Sequence, residues 1–195
     1  MVVRVVAAAV LSAVLMFLWG FVFWMALDGT NRLTDPLPGE LDVLAVLRRA
    51  ETSSGMYVYP APPPDMNDKP AVAEAEKKLA AGPLLRLAFR KEGKAGFMDT
   101  MDFVKAGAHY AAIGLLLATL TAIAAPALPS FGRRLGFVLL ATLLATIWTN
   151  LGDVVWWHHS PTWAMGNMAY ELGAGFLAGL VIAALVKPRN SVGKI

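Results

Sequence analysis

The chain contains no cysteine. Disulfides, thiolate-held zinc, iron–sulfur clusters and a thiol nucleophile are therefore excluded, while the redox compartment stays open. Charge is also scarce. Only 16% of the residues are charged against 57% hydrophobic, where a soluble domain carries about 25% charged residues. With a mean hydropathy of +0.55, this composition belongs to the bilayer rather than to water. Catalytic signatures are missing as well. There is no G-x-x-x-x-G-K-[ST] loop, no G-x-S-x-G elbow and no H-E-x-x-H pair. The basic residues are dispersed and mostly matched by acids, so no nucleic-acid partner is expected. No internal repeat is present, which leaves out the inverted-repeat plan of secondary transporters.

What the chain does have is four long apolar runs, at residues 5–27, 106–128, 135–157 and 168–186. Each approaches the roughly 20 helical residues that a hydrocarbon core requires. The first is too long for the apolar part of a signal peptide, and it ends in Trp19, Phe21, Phe23 and Trp24, so it reads as a retained anchor. Arg4 precedes the first run, Arg133 and Arg134 lie between the second and third, and Lys187, Arg189 and Lys194 follow the fourth. Residues 154–167, between the third and fourth, contain no lysine or arginine. By the positive-inside rule both termini are expected in the cytoplasm, and residues 28–105 outside it.

That long segment has the character of a small folded insert. Leu41, Leu44, Val46 and Leu47 within residues 40–50, followed by Arg48 and Arg49, predict a short amphipathic helix closed by Gly55. Residues 56–59 predict a strand, residues 70–81 a second helix stopped by Gly82 and Pro83, and the alternation of Leu85, Leu87 and Phe89 a partner strand. Asp99 and Asp102 suit the N-terminus of the second membrane helix. The expected fold is mainly α and integral to the membrane. It comprises a first transmembrane helix within residues 1–27, a small α+β extracytoplasmic domain at 28–105 and a three-helix remainder at 106–195. An insert of that size is expected to lean on the membrane helices or on another protein.

Two packing signals lie inside the runs. Gly175 and Gly179, with Ala174 and Ala178, give the fourth helix a smooth face. Thr142, Thr146, Thr149, Asn150 and Asp153 form a polar stripe on the third, expected to face protein through interhelical hydrogen bonds.

One constellation carries chemistry. His109, at the start of the second run, His158 and His159, just after the third, Asp153, one turn inside the third, and Glu171, one turn inside the fourth, are all expected at one outer level. Imidazoles with carboxylates suit a transition metal, and facing histidines suit a haem. The plainer reading makes His158 and His159, among Trp156, Trp157 and Trp163, interfacial loop residues.

The stretch Leu18-Trp19-Gly20-Phe21-Val22-Phe23-Trp24, the pieces Val43-Leu44-Ala45-Val46-Leu47-Arg48 and Gly55-Met56-Tyr57-Val58-Tyr59-Pro60, and the tail 175–187 together resemble an uncharacterised family of bacterial inner-membrane proteins with four predicted transmembrane helices. The resemblance implies a multi-pass protein of the bacterial inner membrane, and no activity comes with it. From the residues, the leading expectation is a non-enzymatic accessory or scaffold subunit, whose partners are the bilayer and other membrane subunits or further copies of itself. The alternatives are a metal- or haem-binding protein and an oligomeric pathway for a small solute or ion, lined by the polar stripe.

Overall fold

A computed structural model describes residues 1–94, 96 and 99–188, so that Arg189 and Lys194 lie outside the described residues. In chain order the helices are α1 (Val2–Ala26), α2 (Gly29–Leu33), α3 (Glu40–Arg49), α4 (Lys69–Ala81), α5 (Thr100–Ala127), α6 (Phe131–Trp157) and α7 (Pro161–Leu185). Two strands, β1 (Gly55–Tyr59) and β2 (Leu85–Phe89), complete the inventory among the described residues. The protein is mainly helical, and α1, α5, α6 and α7 are each long and apolar enough to cross a membrane. The chain divides into two compact units, one of Met1–Asp35 with Met98–Ile195 and one of Pro36–Phe97. The second is narrower than the expected 28–105, because α2 and the beginning of α5 belong with the long helices.

Side-chain caps, rather than hydropathy, set where α5, α6 and α7 begin. Asp99 Oδ1 accepts the N–H of Met101 at 2.8 Å, Ser130 Oγ that of Arg133 at 3.2 Å and Ser160 Oγ that of Trp163 at 3.5 Å. Each satisfies a donor that the first helical turn would leave unpaired. Pro161 follows Ser160 at the first helical position, where its missing N–H costs nothing. As a result α5 starts at Thr100 instead of 106 and α7 at Pro161 instead of 168. His109 is thereby the tenth residue of its helix and Glu171 the eleventh of its own, each about two turns deeper than the apolar runs imply.

Two of these helices are locally widened. The last turn of α1, Val22–Ala26, is a π-turn in which the N–H of Leu27 donates to the carbonyl of Val22 at 2.8 Å. A second π-turn, Ile147–Leu151, lies in α6 and contains Thr149 and Asn150.

Within this unit α1 is central. It packs against α5 on one side and α7 on the other, α6 docks on α7, and α5 and α6 meet at few positions. Glycine makes the close approaches possible. A Cβ on Gly114 of α5 would lie 2.6 Å from the carbonyl oxygen of Ala9 in α1, and one on Gly175 of α7 would lie 2.5 Å from the side chain of Thr142 in α6. The smooth face of α7 is in fact two faces. Gly175 and Gly179 receive Thr142, Leu135 and Val138 of α6, whereas the Ala178 carbonyl accepts a 3.3 Å hydrogen bond from Ser12 of α1.

At the end where α5 stops and α6 starts, Arg134 is only 4% exposed. Its Nη1 donates to the carbonyls of Leu128 and Pro129 at 3.0 and 2.9 Å, and its Nε to that of Ala183 in α7 at 2.9 Å. These carbonyls sit at helix C-terminal ends, where the backbone dipoles leave partial negative charge for a guanidinium.

In the unit Pro36–Phe97, β1 and β2 pair antiparallel with Gly55 opposite Phe89 and Tyr59 opposite Leu85. Gly55 thus opens a strand instead of closing α3, which ends at Arg49 with Ala50 as its C-cap. Asp68 caps α4 by accepting the N–H of Ala71 at 3.2 Å, and Gly82, at a φ of 60°, ends it. Beyond the sheet, Ser54 Oγ donates to Glu92 at 2.9 Å and accepts the N–H of Lys91 at 2.9 Å. Backbone and Ser54 hydrogen bonds hold the exposed Glu92 carboxyl below its ordinary value. None of the described residues of this unit is buried.

Candidate functional site

The gap between α5 and α6, backed by α1 and α7, is a cavity of about 460 Å³. Such a volume falls within the range of small-molecule pockets, about 300 to 1,000 Å³. Its floor and walls are largely apolar, with Met16 from α1, Ile113 and Leu117 from α5, Ala141 and Ala145 from α6, and Ala174 and Gly175 from α7. Polar and aromatic groups enter from all four helices: Trp24 from α1, His109 and Tyr110 from α5, Thr142, Thr146 and Thr149 from α6, and Tyr170 and Glu171 from α7.

Glu171 is the chemical centre. Its Oε2 accepts from Thr146 Oγ1 at 2.5 Å and from Asn150 Nδ2 at 2.9 Å, so the polar stripe of α6 turns toward the one carboxylate of α7. Asn150 also donates to the carbonyl of Thr146 at 3.1 Å, a bond that fixes the direction of its amide. In the same lining the hydroxyls of Tyr110 and Tyr170 are hydrogen-bonded to each other, linking α5 to α7. Trp19 Nε1 donates to the backbone carbonyl of Tyr170 at 2.9 Å and holds that turn against α1. Tyr170 is further packed by the rings of Phe23 and Trp24, at centroid separations of 5.3 and 5.4 Å, and the ring of His109 lies 5.4 Å from that of Tyr110. Both π-turns border the cavity, placing Trp24 and Thr149 in its lining. Widened turns of this kind recur at functional sites because they redirect side chains that a regular helix would aim elsewhere.

The five residues read from the sequence as one outer layer are divided. His109 and Glu171 line the cavity. Asp153, His158 and His159 gather instead at the end of α6, where His159 Nδ1 stands 3.6 Å from Asp153 Oδ2 and the His159 N–H donates to the Asp153 carbonyl at 3.2 Å. His158 ends the helix in the left-handed region, at a φ of 54°. The division has a simple cause. Glu171 and His109 are deeper in their helices than an estimate from hydropathy allowed, while Asp153 and the two later histidines remain at a helix end. Among the described residues no three His, Asp or Glu side chains are grouped so as to hold a metal ion.

Tyr110 and Tyr170 were not singled out from the sequence, although each adjoins a residue that was. Trp19 and Trp24 read there as interfacial anchors, yet one bonds to Tyr170 and the other lines the cavity. No family model, curated protein or solved structure matches the chain.

Proposed function

We propose that the chain is a multi-pass membrane protein that holds a small lipid-soluble molecule inside its bundle. The observation that carries this reading is the cavity itself, an apolar space of about 460 Å³ with a single carboxylate in its wall. In this reading α1, α5, α6 and α7 cross the bilayer. Arg4, Arg133, Arg134 and Lys187 mark the cytoplasmic side, and Pro36–Phe97 is displayed outside as a small α+β domain. The resemblance noted in the sequence favours a bacterial inner membrane. Glu171 then lies about 15 Å along a helix roughly 37 Å long, near the middle of the bilayer. A carboxylate at that depth is costly unless it is partnered, and such residues mark sites of function by default. The sparse contact between α5 and α6 supports entry from the lipid phase.

The test is extraction of bound small molecules from protein purified in native membrane patches. Wild-type protein and a lipid-facing control, Leu144→Phe, are expected to carry a stoichiometric apolar compound that Ala145→Phe, which fills the cavity, loses. Equal content in all three would end the reading.

A second role rests on a separate observation. The unit Pro36–Phe97 leaves Leu41 77% and Met56 58% exposed, which supports an accessory subunit whose outer domain is completed by another protein. Gentle purification is expected to bring that protein through in fixed proportion.

A further inference from the structure

The polar end of the cavity is selective about what it can bind. Both hydrogen bonds of Glu171 fall on Oε2, so Oε1 is the oxygen through which the side chain meets a ligand as an acceptor. Two tyrosine hydroxyls share one hydrogen bond, and whichever donates within the pair, the other retains its proton. Together with the His109 imidazole, the lining therefore offers the Glu171 acceptor and a tyrosine hydroxyl donor. A protonated amine would use the acceptor and leave the hydroxyl donor without a match, and a carboxylate ligand would face Glu171. A hydroxyl group does both. The rings of Trp24, Tyr110, Tyr170 and His109 frame this end, a surrounding that suits a flat aromatic ring. Met16, Ile113 and Leu117 frame the remainder, which suits an alkyl chain.

We infer that the cavity receives a hydroxylated aromatic ring carrying an apolar tail, the chemistry of a membrane quinol, with the ring hydroxyl donating to Glu171 and the tail leaving between α5 and α6. This inference rests on the ligand-binding reading above and adds the class of head group. It concerns binding alone.

The experiment uses full-length protein in phosphatidylcholine nanodiscs, with empty nanodiscs as the partition blank. The probes are a short-chain alkyl hydroquinone and its dimethyl ether, the same ring without a hydrogen to donate. Binding is read by tryptophan quenching. The hydroquinone is expected to bind about tenfold to a hundredfold more tightly than the ether, the range for a hydrogen bond to a charged group. Glu171→Gln is expected to remove most of that difference, and Ala145→Phe to remove binding of both probes. If the two probes bind wild-type protein alike and Ala145→Phe still abolishes both, the cavity binds on apolar grounds and the head-group assignment is wrong. If Ala145→Phe leaves the binding of both unchanged, the cavity reading fails with it. Should Glu171→Gln not assemble, the comparison of hydroquinone with ether in the wild type decides the question by itself.

Discussion

At the scale of single residues, Thr146 and Asn150 bring two donors to one oxygen of Glu171 across the α6–α7 contact. Interhelical hydrogen bonds in membrane proteins contribute on average about 0.6 kcal/mol and at most about 1.7 kcal/mol. Thr146→Val keeps the side-chain shape and removes the hydroxyl, so it is expected to lower stability within that range. Thr121 makes a fair comparison, since it is equally buried but donates only to the Leu117 carbonyl of its own helix, at 2.8 Å. Thr121→Val should change stability by under about 0.5 kcal/mol, because no bond between helices is lost. Reversible unfolding in mixed micelles measures both. The polar stripe was legible in the sequence because spacing alone puts Thr146 and Asn150 on one side of a helix. Its partner was not. Which residue of α7 faces the stripe depends on helix rotation, which packing of small residues decides and periodicity does not. Arg134 shows the same limit, for its charge marked the end of a span while its burial under three carbonyls left no trace in the sequence.

At the scale of elements, the contact of α1 with α5 depends on the absence of one methyl group. Gly114→Ala would set a carbon 2.6 Å from the backbone oxygen of Ala9, and a backbone atom has no rotamer by which to retreat. Overpacking of this kind costs about 1 to 3 kcal/mol. Gly107→Ala lies on the same helix with open space around it, and is expected to be neutral or to stabilise by about 0.5 to 1 kcal/mol through helix propensity. Paired thermal or denaturant unfolding of the two variants checks the contrast, and equal effects would mean that α1 and α5 are not packed as described. The four long helices were readable from hydropathy, yet two of their starts were misplaced by about two turns. Thr100, Asp102 and Lys105 are too polar to count toward an apolar run, although Asp99 caps this turn into the helix. In α7 the signal was present in Ser160 and Pro161, a cap followed by a proline at the first position, and hydropathy concealed it. The π-turns had no sequence signature at all, since widening by one residue leaves composition unchanged.

At the scale of the whole molecule, the two compact units differ in how much they bury. The long-helix unit encloses Ala8, Ala118, Val138, Ala178 and Ile182 completely, whereas none of the described residues of Pro36–Phe97 is buried. Since apolar burial is the main force opposing chain entropy, residues 36–97 produced alone are expected to melt broadly, without a cooperative transition. Circular dichroism against temperature tests this, and a sharp two-state melt would show a unit able to stand alone. The order helix, strand, helix, strand was predictable here because local turn chemistry such as Gly82 and Pro83 sets it, whereas the Asp68 cap came only with the structure.

The guanidinium of Arg134 also bears on biogenesis. Synthesis delivers its Leu128 and Pro129 acceptors just ahead of it, but the Ala183 carbonyl comes 49 residues later. For the interval in which α6 has been made and α7 has not, Nε lacks the acceptor that it has in the finished protein. In the membrane reading proposed above, a nascent chain that still lacks α7 is expected to keep that end of α6 in contact with water or lipid headgroups until α7 arrives.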